Sequence, residues 1–479
     1  MAVTIRKAHH PLYYDLAGIV SPSYVSDDDF TLETYSRDTS PLPPNKQGIV
    51  VRPANTDQVV DIVKLANVTK IPIVPSGGRA SFYGTPRGMP GKGIVVDMTR
   101  INRMINIDVP NLTATAEAGI TTSEFTTRIW DAGWNVHTAI QPFFPDTLGG
   151  QLAGFCGGGD GLEMFSVGHN ALHIAGLKVV LPDGTVVQTG AGAGNNIVNK
   201  MIYDRYAGGP DLTGIFIGSG GTFGIIVEAT YRIYKTTPLK IPWGYVFESF
   251  DKGWDCVLEL SVIEPLPYYA IAYIPPTDLT RSLGLDKHLI MGAVKGNTEN
   301  QVNANMEIVE KVMAKHKAAV GTGPQVEDWK QALLTGRRHR EMGEFASLGT
   351  FTFFEYYMSR SQVKDCHHTT TKFVYDRLKK EGVPYSANEG IVPSLSASWI
   401  VSTILWIRGE DKRAQKIMQN LFAEATEFAC SKGWYPDCHQ GWGTRMMAKY
   451  WPKHHYEFMK KLKGSLDPNN IMNPGIWDF

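Results

Sequence analysis

The chain has 479 residues, 43% of them hydrophobic, and its 47 Lys and Arg residues are balanced by 47 Asp and Glu. That length suggests two or three domains, and that apolar content is enough to build full cores. The balance of charge gives no global field for nucleic acid or an anionic membrane, and no run of about twenty apolar residues is present to span one.

Residues 1–47 read as an N-terminal arm with one helix, ending in Pro41, Pro43 and Pro44. Met1 to Lys7 carries charge without a following apolar core, so it is not expected to be a signal peptide. From Gly48 the pattern becomes regular. Ile49 to Arg52 reads as a strand. Thr56 to Asn67 reads as an amphipathic helix, with Val59, Val60, Ile62, Val63 and Ala66 near one face and Thr56 as its cap. Strands follow at Ile71–Val74, Gly93–Asp97 and Thr113–Glu117. A helix over Thr122–Ala132 is stopped by Gly133. Leu172–Val180 and Val186–Thr189 flank the hairpin signal Pro182-Asp183-Gly184, and Ile225–Tyr234 is a further strand.

After Pro238 the texture changes. Helical stretches at Gln301–Lys317, Ser361–Glu381 and Asp411–Ser431 lie between strand-like runs at Tyr269–Ile274, Leu289–Val294 and Ser402–Ile407. This order implies an α+β cap on an antiparallel sheet. No internal repeat or low-complexity segment interrupts it. The five cysteines are an odd number, widely spaced and without a C-x-x-C. That argues against a disulfide framework or structural zinc and for a reducing, cytoplasmic setting.

The most informative segment is Ile71-Pro72-Ile73-Val74-Pro75-Ser76-Gly77-Gly78-Arg79-Ala80-Ser81. A short apolar run meets two adjacent glycines. Glycine lets backbone N–H groups turn inward and approach a ligand closely, and a concave set of amides binds anions such as phosphate. A second glycine-rich segment, Gly218-Ser219-Gly220-Gly221-Thr222-Phe223-Gly224, invites a dinucleotide reading. It fails on position, since Phe223 stands where the last glycine of G-x-G-x-x-G belongs, and on context, since a β-like run follows. A nicotinamide-binding Rossmann fold is disfavoured.

Several ordered motifs resemble one family. Ile49 to Tyr234 is similar to the FAD-binding domain of the vanillyl-alcohol oxidase / p-cresol methylhydroxylase (PCMH) flavoproteins. Val51 to Val60 resembles its opening strand and helix, Pro75 to Ser81 its pyrophosphate loop, and Thr147-Leu148-Gly149-Gly150 its second glycine pair. Gly214 to Ile226 resembles its closing signature, and Leu466 to Gly475 its C-terminal return. The resemblance is weak over roughly 240–440. It implies an α+β fold, with a two-subdomain PCMH-type FAD-binding domain at 48–237, a cap with an antiparallel sheet at 238–440, and a return to the FAD domain at 441–479.

The resemblance also implies cofactor contacts from Pro75, Ser76, Gly77, Gly78, Arg79, Ala80, Ser81, Pro145, Asp146, Thr147, Gly149, Gly150, Gly154, Gly224, Ile225, Ile226 and Asn473. In several relatives the residue after the first glycine pair is a histidine bonded to the flavin. Here it is Arg79, no second attachment motif is apparent, and noncovalent FAD is expected. Metal-dependent hydroxy-acid dehydrogenases of the superfamily carry an H-x6-H motif and a late acidic ligand. Neither is found, and Asp437-Cys438-His439-Gln440-Gly441 stands where the acid would fall, so no metal is expected.

Three positions are candidates for chemistry. His169, in Phe165 to Asn170, aligns with a segment that carries an acidic residue beside the reactive flavin nitrogen in phenol-oxidising relatives. It could act as a base or tune N5. Spacing of four also leaves a metal pair with His173 conceivable, although His173 reads as structural. Tyr83 resembles a tyrosine that holds a phenolic oxygen, and Arg445 an arginine that stabilises the phenolate. The bland alternatives are a packed aromatic and a surface ion pair. The histidine doublets His9-His10, His367-His368 and His454-His455 read as surface residues, since neighbours on a helix point about 100° apart and chelate poorly.

The implied activity is FAD-dependent transfer of a hydride to flavin N5 from a small aromatic alcohol, phenolic by preference, or an alkylphenol. One alternative is a lactate- or glycolate-type 2-hydroxy-acid dehydrogenase, which the stretch Asp211 to Thr230 resembles. Another is a non-catalytic flavin- or small-ligand-binding protein. Implied partners are a small-molecule substrate and an electron acceptor, which could be oxygen, a cytochrome or an electron-transfer flavoprotein. A homo-oligomer is implied by analogy alone.

Overall fold

The computed structural model describes residues 8–37, 43–80, 90–138, 146–154, 170–194, 202–206, 209–265, 267–282, 284–335, 350–392, 398–408, 410–436 and 442–477. The N-terminal arm holds two helices rather than one, α1 (Tyr13–Val20) and α2 (Asp29–Tyr35). It also supplies β1 (Val25–Ser26), which pairs antiparallel with β2 (Ile49–Val51). Leu12, Leu16 and Val20 recur every fourth residue, so they share one helical face. That face enters the core beside Ile49, Val51 and Val59. The arm is therefore built into the first sheet.

Helix α3 spans Thr56–Thr69, and its cap is Asn55 rather than Thr56. Asn55 Oδ1 accepts from the Gln58 N–H at 3.0 Å. Thr56 already has helical backbone, so its side chain cannot reach back to the orphan amides. Strands β3 (Ile73–Ser76) and β4 (Ile94–Asp97) complete a four-stranded sheet in the order β1-β2-β4-β3, with β2, β4 and β3 parallel. Continuous apolar runs such as Ile49-Val50-Val51 suit strands covered on both faces.

The second sheet comprises β5 (Met104–Asp108), β6 (Thr113–Glu117), β7 (Trp134–Val136), β8 (Ile174–Val180), β9 (Val186–Gln188) and β10 (Ile225–Lys235). Its path is β5-β6-β10-β8-β9, antiparallel throughout, with β7 also paired to β10. Helix α4 (Thr122–Asp131) is capped by Thr121. The β8–β9 turn is the expected one, with Gly184 at φ +84° and Asp183 accepting from the Thr185 N–H at 2.8 Å. A short helix, α5 (Leu148–Ala153), lies in this layer.

The third sheet has eight strands: β11 (Leu239–Phe247), β12 (Tyr268–Ile274), β13 (His288–Gly296), β14 (Ala319–Val320), β15 (Thr350–Ser359), β16 (Ser386–Val392), β17 (Ser398–Ile407) and β18 (Tyr435–Pro436). Their order is β14-β11-β13-β12-β16-β17-β15-β18. Helices Phe250–Leu260, Glu299–Lys315, Val363–Glu381 and Lys412–Ser431 share its core through Trp254, Val309, Leu378 and Leu421. This is the antiparallel α+β cap expected from the alternation of elements. Among the described residues no helix is long and apolar enough to cross a membrane.

One histidine doublet departs from expectation. His368 is exposed, but His367 is buried, with Nε2 3.6 Å from Glu389 Oε2. The rotation of about 100° that prevents two neighbours from chelating also turns one inward when the other faces water. Burial pushes the His367 imidazole down to about 3, with His368 the next contribution. His454 is exposed, as expected.

Candidate functional site

The first glycine turn leaves the C-terminal end of β3. Ser76 is its last strand residue, in register with Asp97 of β4. Gly77, Gly78, Arg79 and Ala80 then depart from the sheet, with Arg79 in the left-handed region at φ +57°. Among the described residues, the N–H groups of Gly77 to Ala80 donate to no partner. They are available to an anion, as glycine-rich turns in this conformation generally are. The Arg79 side chain engages α2: Nη1 donates to Thr34 O at 2.7 Å and the guanidinium lies 4.0 Å over the Tyr35 ring.

The second glycine pair starts α5. Thr147 caps it, its Oγ1 accepting from the Gly150 N–H at 3.3 Å. Gly149 donates to Ala118 O at 2.8 Å, and Gly154 ends the helix by donating to Gly150 O at 2.8 Å. The two pairs, some seventy residues apart, touch. A Cβ on Gly77 would overlap Thr147 Oγ1 and stand 3.5 Å from Gly150 Cα. Only glycine permits this approach of backbone to backbone.

The third turn rests on the end of α5. Gly218 and Gly220 donate to Leu152 O and Ala153 O, both at 2.8 Å. Gly218, Gly220 and Gly221 have φ of +70°, +63° and +74°. A Cβ on Gly221 would come 3.1 Å from Pro75 Cγ, so this turn also packs on the first. Gly224, at φ +159°, leads into Ile225 and Ile226, which open β10 and are buried. The C-terminal segment closes the arrangement. Asn473 donates its N–H to Ile73 O at 2.8 Å and Nδ2 to Gly220 O at 2.7 Å.

Asp146 is partly buried, and desolvation pushes its carboxyl up to about 7. It accepts from Gln151 Nε2 at 2.9 Å, and Gln151 Oε1 accepts from Asn170 Nδ2 at 2.8 Å. The carboxyl thus joins a polar chain whose other members, Gln151 and Asn170, are buried behind the second turn. Of the other candidates, Ser81, Tyr83, Pro145 and His169 lie outside the described residues. Arg445 lies in the helix Trp442–Tyr450. His173 is buried and its Nδ1 is 2.7 Å from the Tyr234 hydroxyl.

Three participants carry no sequence signal. Gln151 and Asn170 are ordinary polar residues whose burial comes from distant strands. Lys463 reads as one of several lysines on an amphipathic helix, yet it is buried and donates to Thr222 O at 2.9 Å within the third turn.

Comparison with known proteins agrees with this arrangement. Residues 48–190 match the FAD binding domain family, and residues 408–476 match the C-terminal domain of FAD linked oxidases. The chain is 26% identical over 477 residues to the glycolate oxidase subunit GlcD of Bacillus subtilis (strain 168), covering 96% of this chain and 95% of that protein. Among solved structures it is similar to 4-ethylphenol oxidase from Gulosibacter chungangensis, with TM-score 0.80 and 19% identity. It is similar also to p-cresol methylhydroxylase, with TM-score 0.79 and 19% identity. Each of these covers 97% of this chain and 96% of the solved one.

Proposed function

We propose that this chain, which matches FAD-linked oxidase families over residues 48–190 and 408–476, oxidises a small aromatic, phenolic alcohol or alkylphenol, with FAD bound noncovalently. The observation that carries the cofactor reading is the meeting of Gly77 with Thr147 and Gly150. It seats the first turn, with its unbonded amides, directly against the start of α5, an arrangement that suits a diphosphate. The N–H groups of Gly77 to Ala80 would hold that diphosphate, Gly149, Gly150 and Gly221 let the neighbouring backbone pack closely around the turn, and Asn473 keeps the third turn in place. FAD held there would supply hydride-accepting chemistry at flavin N5.

The chain's side chains then orient and charge the substrate. Arg445 and Tyr83 bind the phenolic oxygen as an anion, which raises electron density at the carbon that loses hydride. His169 holds or removes a proton. The 48–237, 238–440 and 441–479 division follows from this reading, with the cap closing the substrate side. An electron acceptor and a homo-oligomeric state belong to it as well.

A second substrate reading has its own support. Likeness to the glycolate oxidase subunit runs almost end to end in both chains. In that reading Arg445 grips the carboxylate of a 2-hydroxy acid bidentately.

One experiment separates the two. The visible spectrum of purified protein is followed anaerobically with vanillyl alcohol, D-lactate and glycolate, and again after acid precipitation. Bleaching by vanillyl alcohol alone supports the phenolic reading, and bleaching by D-lactate or glycolate alone supports the acid reading. FAD released into the acid supernatant supports noncovalent binding. Colourless protein that takes up no FAD would falsify both substrate readings. Arg445→Ala is expected to slow flavin reduction with FAD still bound, and Gly78→Asp to abolish FAD binding by setting a carboxylate against phosphate.

A further inference from the structure

The first glycine turn is tethered at both ends, by different parts of the chain. Its entrance is fixed by the sheet, where Ser76 pairs with Asp97. Its exit is Arg79, which holds a left-handed conformation at φ +57°. A residue with a Cβ adopts that region only at a cost, so its surroundings must favour it. Those surroundings are α2, in the N-terminal arm. Arg79 Nη1 donates to Thr34 O at 2.7 Å, and the guanidinium stacks 4.0 Å over Tyr35.

Tyr35 is itself anchored. Its hydroxyl donates to Asp97 Oδ2, the same residue that pairs with Ser76. Asp97 is buried, accepts from the Thr99 N–H at 2.8 Å and Oγ1 at 2.7 Å, and lies 3.3 Å from Arg52 Nε. A closed circuit results: Ser76 to Asp97 through the sheet, Asp97 to Tyr35 by a hydrogen bond, Tyr35 to Arg79 by a cation–π contact, and Arg79 back to Gly77 along the chain. Burial and the Asp97 carboxylate push the Tyr35 hydroxyl up to about 12. It therefore remains a donor across the neutral range.

We propose that Tyr35 is a positioning residue for the cofactor: from the N-terminal arm it holds Arg79, and through Arg79 the Gly77–Gly78 turn, in the shape that grips the FAD diphosphate. The inference rests on the FAD reading above. It makes the arm part of the cofactor site by way of Arg79. It also gives Arg79 a role that does not need its charge at the phosphate.

The test is the affinity and release rate of FAD, read by the fluorescence of free flavin on dilution of the holoprotein. The variants are Tyr35→Phe, Tyr35→Leu, Arg79→Ala and the Tyr35→Leu/Arg79→Ala double. Arg79 is exposed, so Arg79→Ala does not depend on repacking a core, and circular dichroism checks the fold of each variant. Losing a cation–π contact at an exposed site predicts FAD binding weaker by about two- to fivefold in Tyr35→Leu and in Arg79→Ala. The double variant should bind no more weakly than the worse single, because both substitutions open the same circuit. Tyr35→Phe keeps the ring but loses the link to Asp97, so its affinity should fall between those of the parent and Tyr35→Leu.

Arg79→Ala binding FAD as tightly as the parent would overturn the proposal, since alanine keeps the Cβ that disfavours φ +57° but has no tether. Losses that multiply in the double variant would overturn it too. If the parent binds FAD and Tyr35→Leu binds it equally well, this inference fails while the FAD reading stands. If the parent binds none, the FAD reading fails first.

Discussion

Lys463 Nζ lies 2.6 Å from Asp467 Oδ2, one helical turn away, and both side chains are almost wholly withdrawn from water. The ammonium also donates to Thr222 O at 2.9 Å and Met472 O at 2.8 Å. Asp467 in turn accepts the N–H groups of Ile471 at 3.0 Å and Met472 at 2.8 Å. One ion pair thus ties the last helix, the third glycine turn and the edge of the first sheet together. Burial pushes the Lys463 ammonium below its usual range, and Asp467 opposes that shift.

Removing one partner of a buried pair strands the other. Lys463→Met is expected to destabilise the protein by about 3–5 kcal/mol, the range for such uncompensated charges. It should also loosen FAD, because Thr222 O loses its donor next to Gly221 and Gly224. A urea titration checks the first point and flavin release the second. An unchanged midpoint would show that the pair contributes nothing net.

The contact between the two glycine pairs makes a sharper prediction. Gly77→Ala places a methyl group against Thr147 Oγ1 and forces the turns apart, at about 1–3 kcal/mol for overpacking. Thr147→Ala removes the obstructing oxygen, at about 1 kcal/mol for the lost cap. The double variant should be less destabilised than the sum of the singles. Thermal melts and FAD affinity over the four-member cycle measure the coupling, and strict additivity would mean that the turns do not touch in solution.

Asp146 should give stability a pH dependence of unusual sign for a carboxylate. Its folded pKa, about 7, lies above the usual value of 3.8. Between those values the folded state holds a proton that the unfolded state has lost, so stability falls as pH rises from about 4 to 7. A shift of this size corresponds to roughly 4 kcal/mol over that window. Asp146→Asn removes the titration while keeping an acceptor for Gln151. Its melting temperature relative to the parent should therefore rise with pH and level off near pH 7. Parallel curves for the two proteins would place Asp146 in contact with water.

His367 should act in the opposite direction. Burial holds its imidazole down to about 3, with His368 and His288 also disfavouring charge and Asp251 favouring it. Below about 6.5 the unfolded chain takes a proton that the folded state refuses, so this group makes stability fall on acidification through that window. Glu389, 3.6 Å away and raised by its own burial, works against it there. Replacing His367 by Gln should flatten the acid side of the stability curve, measured as the urea midpoint at pH 4.5, 5.5 and 6.5. A steeper acid side in the variant would reverse the assignment.

Backbone signals are legible in the amino-acid order itself. The strands at Ile49, Ile73 and Ile94, the hairpin at Asp183-Gly184 and the stop at Gly133 depend on residues within one turn of each other. The glycines at 77, 149, 150, 220 and 221 are recognisable because a turn needs them wherever it ends up in space. Even there, a neighbour decides a detail: Asn55 rather than Thr56 caps α3, and the arm carries a second helix and a strand.

Composition and local pattern by themselves determined which segments would be strand, helix or tight turn, because those preferences come from φ, ψ and the periodicity of apolar side chains. They could not determine partners. That Gly77 meets Thr147, that Arg79 turns to Tyr35, that Lys463 rather than its neighbouring lysines is buried, and that His367 faces inward while His368 faces out were decided by the packing of elements far apart in the chain. Burial and charge depend on what surrounds a side chain, and only the assembled layers supply those surroundings.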